Sequence, residues 1–311
     1  MASVTIRQLR YFEALARLRH FGRAAEACAI SQPALSVQMK ELEALLGAPL
    51  VERGPREIRL TRLGEALAPR AREVLRAVEE IEDLARASQR PFVGRLGLGV
   101  IPTVAPYLLP ALMKDLAETW PELEIRPRET VTRTLVRDLL DGRLDAAIVA
   151  LPISEPALAE TPLFQEEFVL VRPQADAGRP APSAESLREM RLLLLEEGHC
   201  FRDQALSFCG LGAAPPRDLM EGSTLATLVQ MVAVGIGVTL IPEMAVRVET
   251  ASAPVSVARL SPPRPKRTIG MVWRRSSPLA DQLERIAQQV RGCPRPQATT
   301  PRAAGLSREA G

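Results

Sequence analysis

The sequence predicts an α/β protein in three parts: a small helical module ending in a hairpin, one long helix, and a larger α/β region whose two subdomains enclose a cleft. Three observations lead there. The first 60 residues carry short apolar segments at helical spacing, the next 30 carry one unbroken helical seam, and the remainder alternates strand-like and helix-like runs. With 311 residues and 46% hydrophobic content, the chain has material for two or three folding units.

In the first part, Ile6, Leu9, Phe12, Leu15 and Ala16 recur at helical spacing, then Phe21, Ala24, Ala25 and Cys28, then Leu35, Met39, Leu42, Leu45 and Leu46. The segment from His20 to Gly22 separates the first two helices. Ser31 followed by Gln32 and Pro33 supplies an N-cap serine with proline in the first turn of the third. Leu50 to Leu60, centred on Arg53, Gly54 and Pro55, reads as a small β-hairpin. From Thr61 to about residue 90, Leu63, Leu67, Val74, Leu75, Val78, Ile81 and Leu84 form a continuous seam of the kind that seeks a partner helix. Pro91 and Gly94 end it. Beyond, GRLGLGVIP, LEIRP, LDAAIVAL, Phe164 to Val171, RLLLLEE, GVTLIP and RTIGMVW read as strands. Helices are expected at Tyr107 to Trp120, Thr134 to Leu140, Phe201 to Phe208, Leu225 to Val234 and from Pro278. This rhythm implies a doubly wound parallel sheet. The last residues, 292–311, lack apolar periodicity and are expected to be disordered.

Composition narrows the function classes. A net charge of +3 is too small to argue for nucleic acid by itself. No apolar run reaches the roughly 18 residues of a membrane span, and the N-terminus does not read as a signal peptide, so a cytoplasmic location without membrane attachment is expected. In that reducing compartment Cys28, Cys200, Cys209 and Cys293 do not form a permanent framework; any disulfide is transient, catalytic or sensory.

Two helices joined by a tight turn make a helix-turn-helix, whose second helix faces base edges in the major groove. Here that helix begins at Ser31, with Leu35, Met39 and Leu42 inward and Gln32, Pro33, Ser36 and Lys40 outward. Gln pairs with adenine, Ser with several bases, and Lys with phosphate or guanine, while Arg53 at the hairpin is placed like a wing reaching the backbone or minor groove. A helical bundle with a solvated polar face is the plain alternative. The string RAAEACAISQPALSVQMKELEALLGAPLVER, followed by LTRLGEAL, resembles the N-terminal signature of LysR-type transcriptional regulators. That resemblance extends to about residue 290. It implies a winged helix-turn-helix domain over 1–60, a dimerising linker helix over 61–90, and a periplasmic-binding-protein-like regulatory domain over 91–291. The regulatory domain would comprise subdomain I (91–166 and 268–291) and subdomain II (167–267). It also implies binding to double-stranded DNA, assembly as homodimer and homotetramer, contact with RNA polymerase, and no catalytic activity or cofactor. Val37 departs from the family, which often has arginine there.

The second motif is LLLLEEGHCFRDQALSFCGLG. Phe201, Ala205 and Phe208 share one helical face and Gly210 is suited to closing the helix. Nine residues separate Cys200 from Cys209, which on a helix is about two and a half turns and about 13.5 Å. A disulfide needs Cα atoms within about 7 Å, so joining them requires the helix to unfold. His199, Arg202 and Asp203 surround Cys200, and a nearby cation favours the nucleophilic thiolate. Two unrelated buried cysteines are the plain alternative. Zinc is disfavoured, because adjacent His199 and Cys200 with one distant thiol make a poor tetrahedral set. The string EEGHCFRDQALSFC is similar to the redox segment of the peroxide-sensing members of the same family, and IPTVAPYLLP and PKRTIGMVWR match two further segments. The resemblance implies that Cys200 is oxidised by hydrogen peroxide, that Cys209 resolves it as a disulfide, and that Thr103, Thr132, His199, Arg202, Asp203 and Arg267 surround the peroxide. It also implies a reductant such as glutaredoxin or thioredoxin. Thr103 stands on its own as well, since it lies between a strand and a helix, where ligands bind in open α/β sheets. A metabolite-responsive regulator with inert cysteines and a peroxidase are the competing readings.

Cys28, on the inward side of its helix, reads as a small hydrophobe, and Cys293 as an incidental exposed thiol in the tail. His20 reads as a capping or packing residue. Gly94, Gly97 and Gly99 hint at a nucleotide loop, but the third fingerprint glycine is missing and Pro102 interrupts.

Overall fold

The computed structural model describes residues 3–53, 58–89, 91–180, 182–208 and 220–293. The chain divides into two compact units, Met1–Arg90 and Pro91–Gly311.

The first unit begins with α1 (Ile6–Leu18), whose start is closed by a reciprocal Thr5–Gln8 capping box. His20 caps α2 (Phe21–Ala27) by accepting the Arg23 amide at Nδ1, the capping role expected for it. Ser31 caps α3 (Gln32–Leu46), which ends at Gly47 in the left-handed region. Leu35, Met39 and Leu42 are buried against Phe12 and Leu15. Gln32, Pro33, Val37 and Lys40 are exposed, and Ser36 is half-buried. A two-stranded hairpin follows, β1 (Val51–Arg53) against β2 (Ile58–Leu60), with Val51 opposite Leu60. Glu43 of α3 accepts the amides of Leu50 (2.7 Å) and Val51 (3.2 Å), so the hairpin is tied to α3. The tip beyond Arg53 and that residue's side chain lie outside the described residues.

The helix α4 (Arg62–Gln89) buries Ala68 and Ala71 in this unit, with Leu67 and Leu75 packed at the edge. Leu63, Val74 and Ile81 stay exposed. They lie 11 and 7 residues apart, which at 3.6 residues per turn is one stripe. Leu84's side chain is outside the described set.

The second unit runs β3 (Gly94–Val100), α5 (Ala105–Thr119), β4 (Leu123–Glu129), α6 (Thr132–Leu140), β5 (Ala146–Leu151), β6 (Leu158–Pro173) and α7 (Ala184–Glu189). It continues with β7 (Leu192–Leu195), α8 (Cys200–Phe208), β8 (Met220–Gly222), α9 (Leu225–Ala233), β9 (Val238–Pro242), α10 (Val246–Glu249), β10 (Val255–Arg259), β11 (Lys266–Arg274) and α11 (Ala280–Gly292). The sheet order is β4-β3-β5-β11-β6-β9-β7-β8, with β10 also on β6. The sheet is mixed and not the parallel one expected. Parallel pairs occur in two groups, β4-β3-β5 and β8-β7-β9, while β6 and β11 run antiparallel to each other and to the strands beside them. The 16 residues of β6 serve both groups: up to Glu167 it pairs with β11, and from Phe168 onward with β9 and β10.

The glycines of β3 have a packing explanation. A Cβ at Gly99 would lie 2.5 Å from Leu135 of α6, so the strand accepts α6 only because that side chain is missing. Cys293 is buried at the end of α11, in the core of this unit, which corrects the expectation of an exposed tail thiol: its main chain still bonds to Val290. Residues 294–311 lie outside the described residues.

Candidate functional site

The C-terminal ends of β3 and β7 deliver two loops to one place. Beyond β3 comes Thr103, and beyond β7 the turn Gly198-His199 leads into α8 at Cys200. Ile101, Pro102, Thr103, Val131, Thr132, His199, Cys200 and Phe201 line a narrow cavity in which a water-sized sphere does not fit. Cys200 and Thr132 also border an open groove of about 840 Å3 lined further by Arg202, Asp203, Gln204 and Gly198. Pro102, Thr103 and His199 also border a second cavity of about 210 Å3 that extends to Tyr107, Glu129, Thr224 and Glu249.

Thr132 and Cys200 are the first residues of α6 and α8. The N-terminal ends of two helices therefore meet at the cavity, an arrangement that favours negative charge on an incoming oxygen. The two threonine hydroxyls differ. Thr132 Oγ1 is buried with no hydrogen-bond partner among the described residues. Thr103 Oγ1 accepts Nη1 of Arg267 at 2.8 Å, and the Thr103 carbonyl accepts Nη2 at 3.1 Å. With its acceptor side so engaged, the Thr103 hydroxyl proton is available to the cavity.

Arg267 is buried and stands opposite Glu166 across β11 and β6. Its Nε donates to Glu166 Oε1 at 2.8 Å and its Nη2 lies 2.6 Å from the same oxygen. The guanidinium carbon sits 5.3 Å from the Phe201 ring centroid, and that ring packs on Phe168 at 4.6 Å. Arg267 thus reaches the cavity through Thr103 and Phe201 and does not line it.

Arg202 takes another role than its nearness to Cys200 in sequence suggests. It is buried, donates from Nη1 to the Leu195 carbonyl at 3.0 Å, and pairs with Glu221 of β8. That cation is committed to holding α8 on β7 and β8. Asp203 is exposed in the groove. His199 is half-buried, and burial holds its imidazole below the ordinary range, partly opposed by Glu196. Cys209 lies outside the described residues. Cys28 closes α2 at the edge of the first core, where burial, then Glu13, pushes its thiol up, as suits an inert packing residue. Among the described residues no cluster of three or more potential ligands could hold a metal, and no helix is long and apolar enough to cross a membrane.

Sequence reasoning brought Thr103, Thr132, His199 and Cys200 to one cavity; Glu166, Phe201 and Val131 escaped it. Glu166 had a signal. Phe164, Glu166 and Phe168 alternate in β6, so a carboxylate occupies an inward position of a period-two strand and requires a buried cation.

Residues 6–65 match the model of the bacterial regulatory helix-turn-helix protein, lysR family, and residues 89–292 match the LysR substrate binding domain. The chain belongs to the LysR family of transcriptional regulators. It is therefore a DNA-binding regulator and not an enzyme. It is 44% identical over 291 residues to a probable hydrogen peroxide-inducible genes activator of Streptomyces viridosporus, covering 92% of this chain and 93% of that protein. It is 41% identical over 290 residues to the DNA-binding transcriptional dual regulator OxyR of Escherichia coli K12, covering 93% and 95%. Among solved structures, a full-length OxyR variant from Pseudomonas aeruginosa matches with a TM-score of 0.76 at 37% identity, covering 97% of this chain and 100% of that one. A hydrogen-peroxide-bound OxyR mutant from Corynebacterium glutamicum matches at 0.64 and 36% identity, covering 94% and 92%.

Proposed function

We propose that this LysR-family regulator senses hydrogen peroxide at Cys200. The observation that carries the reading is the pairing, in one tight cavity, of a cysteine at a helix N-terminus with two hydroxyls free to donate: Thr103, engaged as an acceptor by Arg267, and Thr132, buried without a partner. In the first step the Cys200 thiolate attacks one peroxide oxygen and the O–O bond breaks. Sulfur loses two electrons and becomes a sulfenic acid, while the other oxygen leaves as hydroxide and takes a proton to become water. The threonine hydroxyls stabilise charge on the departing oxygen, the situation in which fixed donors act most strongly. His199, which lines the same cavity and whose imidazole burial holds toward its neutral form, is able to accept and return a proton.

In the second step the Cys209 thiol attacks the sulfenic sulfur, a second water leaves, and the Cys200–Cys209 disulfide forms. Because Cys200 opens the nine-residue α8 and Cys209 follows that helix in sequence, bond formation in this reading unwinds α8, releasing Phe201 from Phe168 and Arg202 from Leu195 and Glu221. The energy of the new bond thereby drives a local refolding, which alters the packing of regulatory domains and the spacing of their DNA-binding modules. In this reading residues 1–60 bind DNA, 61–90 dimerise through the exposed stripe of α4, and subdomains I and II of 91–291 carry the sensor. Gln32, Pro33, Ser36, Lys40 and Arg53 face DNA. The active assembly is a tetramer in the cytoplasm that contacts RNA polymerase, and glutaredoxin or thioredoxin returns the disulfide to thiols.

Peptide mass spectrometry after one equivalent of hydrogen peroxide tests this. The expected product is a Cys200–Cys209 disulfide, with Cys209→Ser stopping at a trappable sulfenic acid and Cys200→Ser unreactive. A peroxide response retained by Cys200→Ser would refute it.

A further inference from the structure

We propose that Val131 is the gate that admits hydrogen peroxide to Cys200 and turns away organic hydroperoxides; this rests on the peroxide reading above. The cavity around the sulfur has four apolar walls, Ile101, Pro102, Val131 and Phe201, and is too tight for a water-sized sphere. Hydrogen peroxide, two oxygens long and little wider than water, gets in when one wall yields by a fraction of an ångström. A tertiary alkyl group on the peroxide needs a wall to leave altogether, because packed interiors have no spare volume to give.

Three of the four walls are held. Ile101 is 2% exposed in the core of its unit. Phe201, also 2% exposed, packs on the Phe168 ring and carries the Arg267 guanidinium over its own ring. Pro102 has a ring without free rotamers. Val131 is the remaining one: it is half-buried, it precedes α6 in extended conformation (φ −68°, ψ 154°), and its side is open toward the turn at Gly198. A Cβ built on Gly198 would lie 4.0 Å from both Val131 methyl carbons, and glycine, required there by its φ of +98°, leaves that space empty.

The position matters as much as the mobility. Thr132 and Cys200 border both the tight cavity and the 840 Å3 groove, and Val131, which lines the cavity alone, directly precedes Thr132, so its side chain sets the width of the cavity in which the two threonine hydroxyls meet an oxidant. A β-branched side chain has few rotamers and returns to the same one, which suits a stop that yields slightly and does not swing clear. With either oxidant the chemistry is the same: thiolate sulfur takes one oxygen, the O–O bond breaks, and the leaving group departs as hydroxide or as alkoxide, protonated to water or alcohol.

The test measures second-order rate constants for Cys200 oxidation in the full-length chain by hydrogen peroxide and by tert-butyl hydroperoxide, with alkylation quench and peptide mass spectrometry. Val131→Ala should raise the ratio of the tert-butyl rate to the hydrogen peroxide rate about tenfold or more, the scale of steric discrimination by one or two methyl groups, and Val131→Ile should lower it. Having the two variants act in opposite directions guards against a mere loss of folding. Ratios within about threefold of wild type in both variants would overturn the proposal and place access on the side of the 210 Å3 cavity, past Pro102 and His199. The wild-type rate with hydrogen peroxide reports separately: its absence would sink the peroxide reading itself.

Discussion

Replacing Thr132 by valine should make the protein more stable and a worse sensor. Valine keeps the β-branched shape and exchanges the hydroxyl for a methyl. Thr132 Oγ1 is buried without a partner among the described residues, and an unsatisfied buried polar atom costs about 1–3 kcal/mol. Relieving even the low end of that range gives about 1 kcal/mol, or about 2–4 °C in Tm for a unit of this size. The kinetic effect has the opposite sign. Loss of one fixed donor to a developing oxyanion typically lowers a rate about 100- to 1000-fold, and Thr132 is one of two hydroxyls at the cavity. Differential scanning calorimetry and quenched-flow peroxide oxidation of Cys200 supply the two numbers. A variant that is less stable yet oxidised at the wild-type rate would show that the hydroxyl serves the fold, and the assignment of Thr132 as a peroxide donor would fail.

Arg202→Gln should loosen α8 by removing its ties to Leu195 and Glu221, each a charge-assisted bond. Amide exchange in α8 should quicken about tenfold, corresponding to about 1.4 kcal/mol, and the disulfide should form at a lower peroxide dose; unchanged exchange would remove Arg202 from the latch. His199, held below its ordinary value of 6.5 by burial, gives a pH signature. Its neutral form is favoured in the folded state, so the associated stability is fully present above pH 6.5 and is lost as pH falls through the lower folded value. Denaturation midpoints from pH 7.5 down to 5 should decline more steeply in the wild type than in His199→Gln. At the DNA face, Gln32→Ala should cost about 1–3 kcal/mol at a specific site while Lys40→Ala weakens all sequences and shallows the salt dependence. Equal loss on specific and random DNA by both variants would contradict the division of roles on α3.

Local order was legible where the pattern was periodic. Leu35, Met39 and Leu42 are buried on α3, and Phe201 and Ala205 on α8, as their spacing implies. Ser31 caps α3 as expected, because a hydroxyl ahead of an apolar run has an unpaired amide to accept from; the Thr5 cap of α1 rests on the same physics but was not marked. The sheet was read as parallel because alternation of strand and helix is a one-dimensional signal and carries no strand direction. β6 also escaped in part: the reading began at Phe164, whereas the strand begins at Leu158, because Glu160, Thr161 and Pro162 break the apolar pattern ahead of it.

What the sequence carried by itself is most of the longer elements, among them α3 and α8, since each depends on residues within about two turns of one another; the short α7, β8, α10 and β10 it did not mark. What only the tertiary structure decided is the company that Cys200 keeps. Arg202, two residues away, turns into the β7–β8 side and is spent on Leu195 and Glu221. Arg267 comes within reach through Thr103, 164 residues distant in the chain, and is held by Glu166, 101 residues distant. The physical reason is that a buried guanidinium must satisfy its donors where the fold supplies acceptors, and those acceptors lie on β6 and beyond β3, strands and loops whose nearness is created by the antiparallel crossing of β6 and β11.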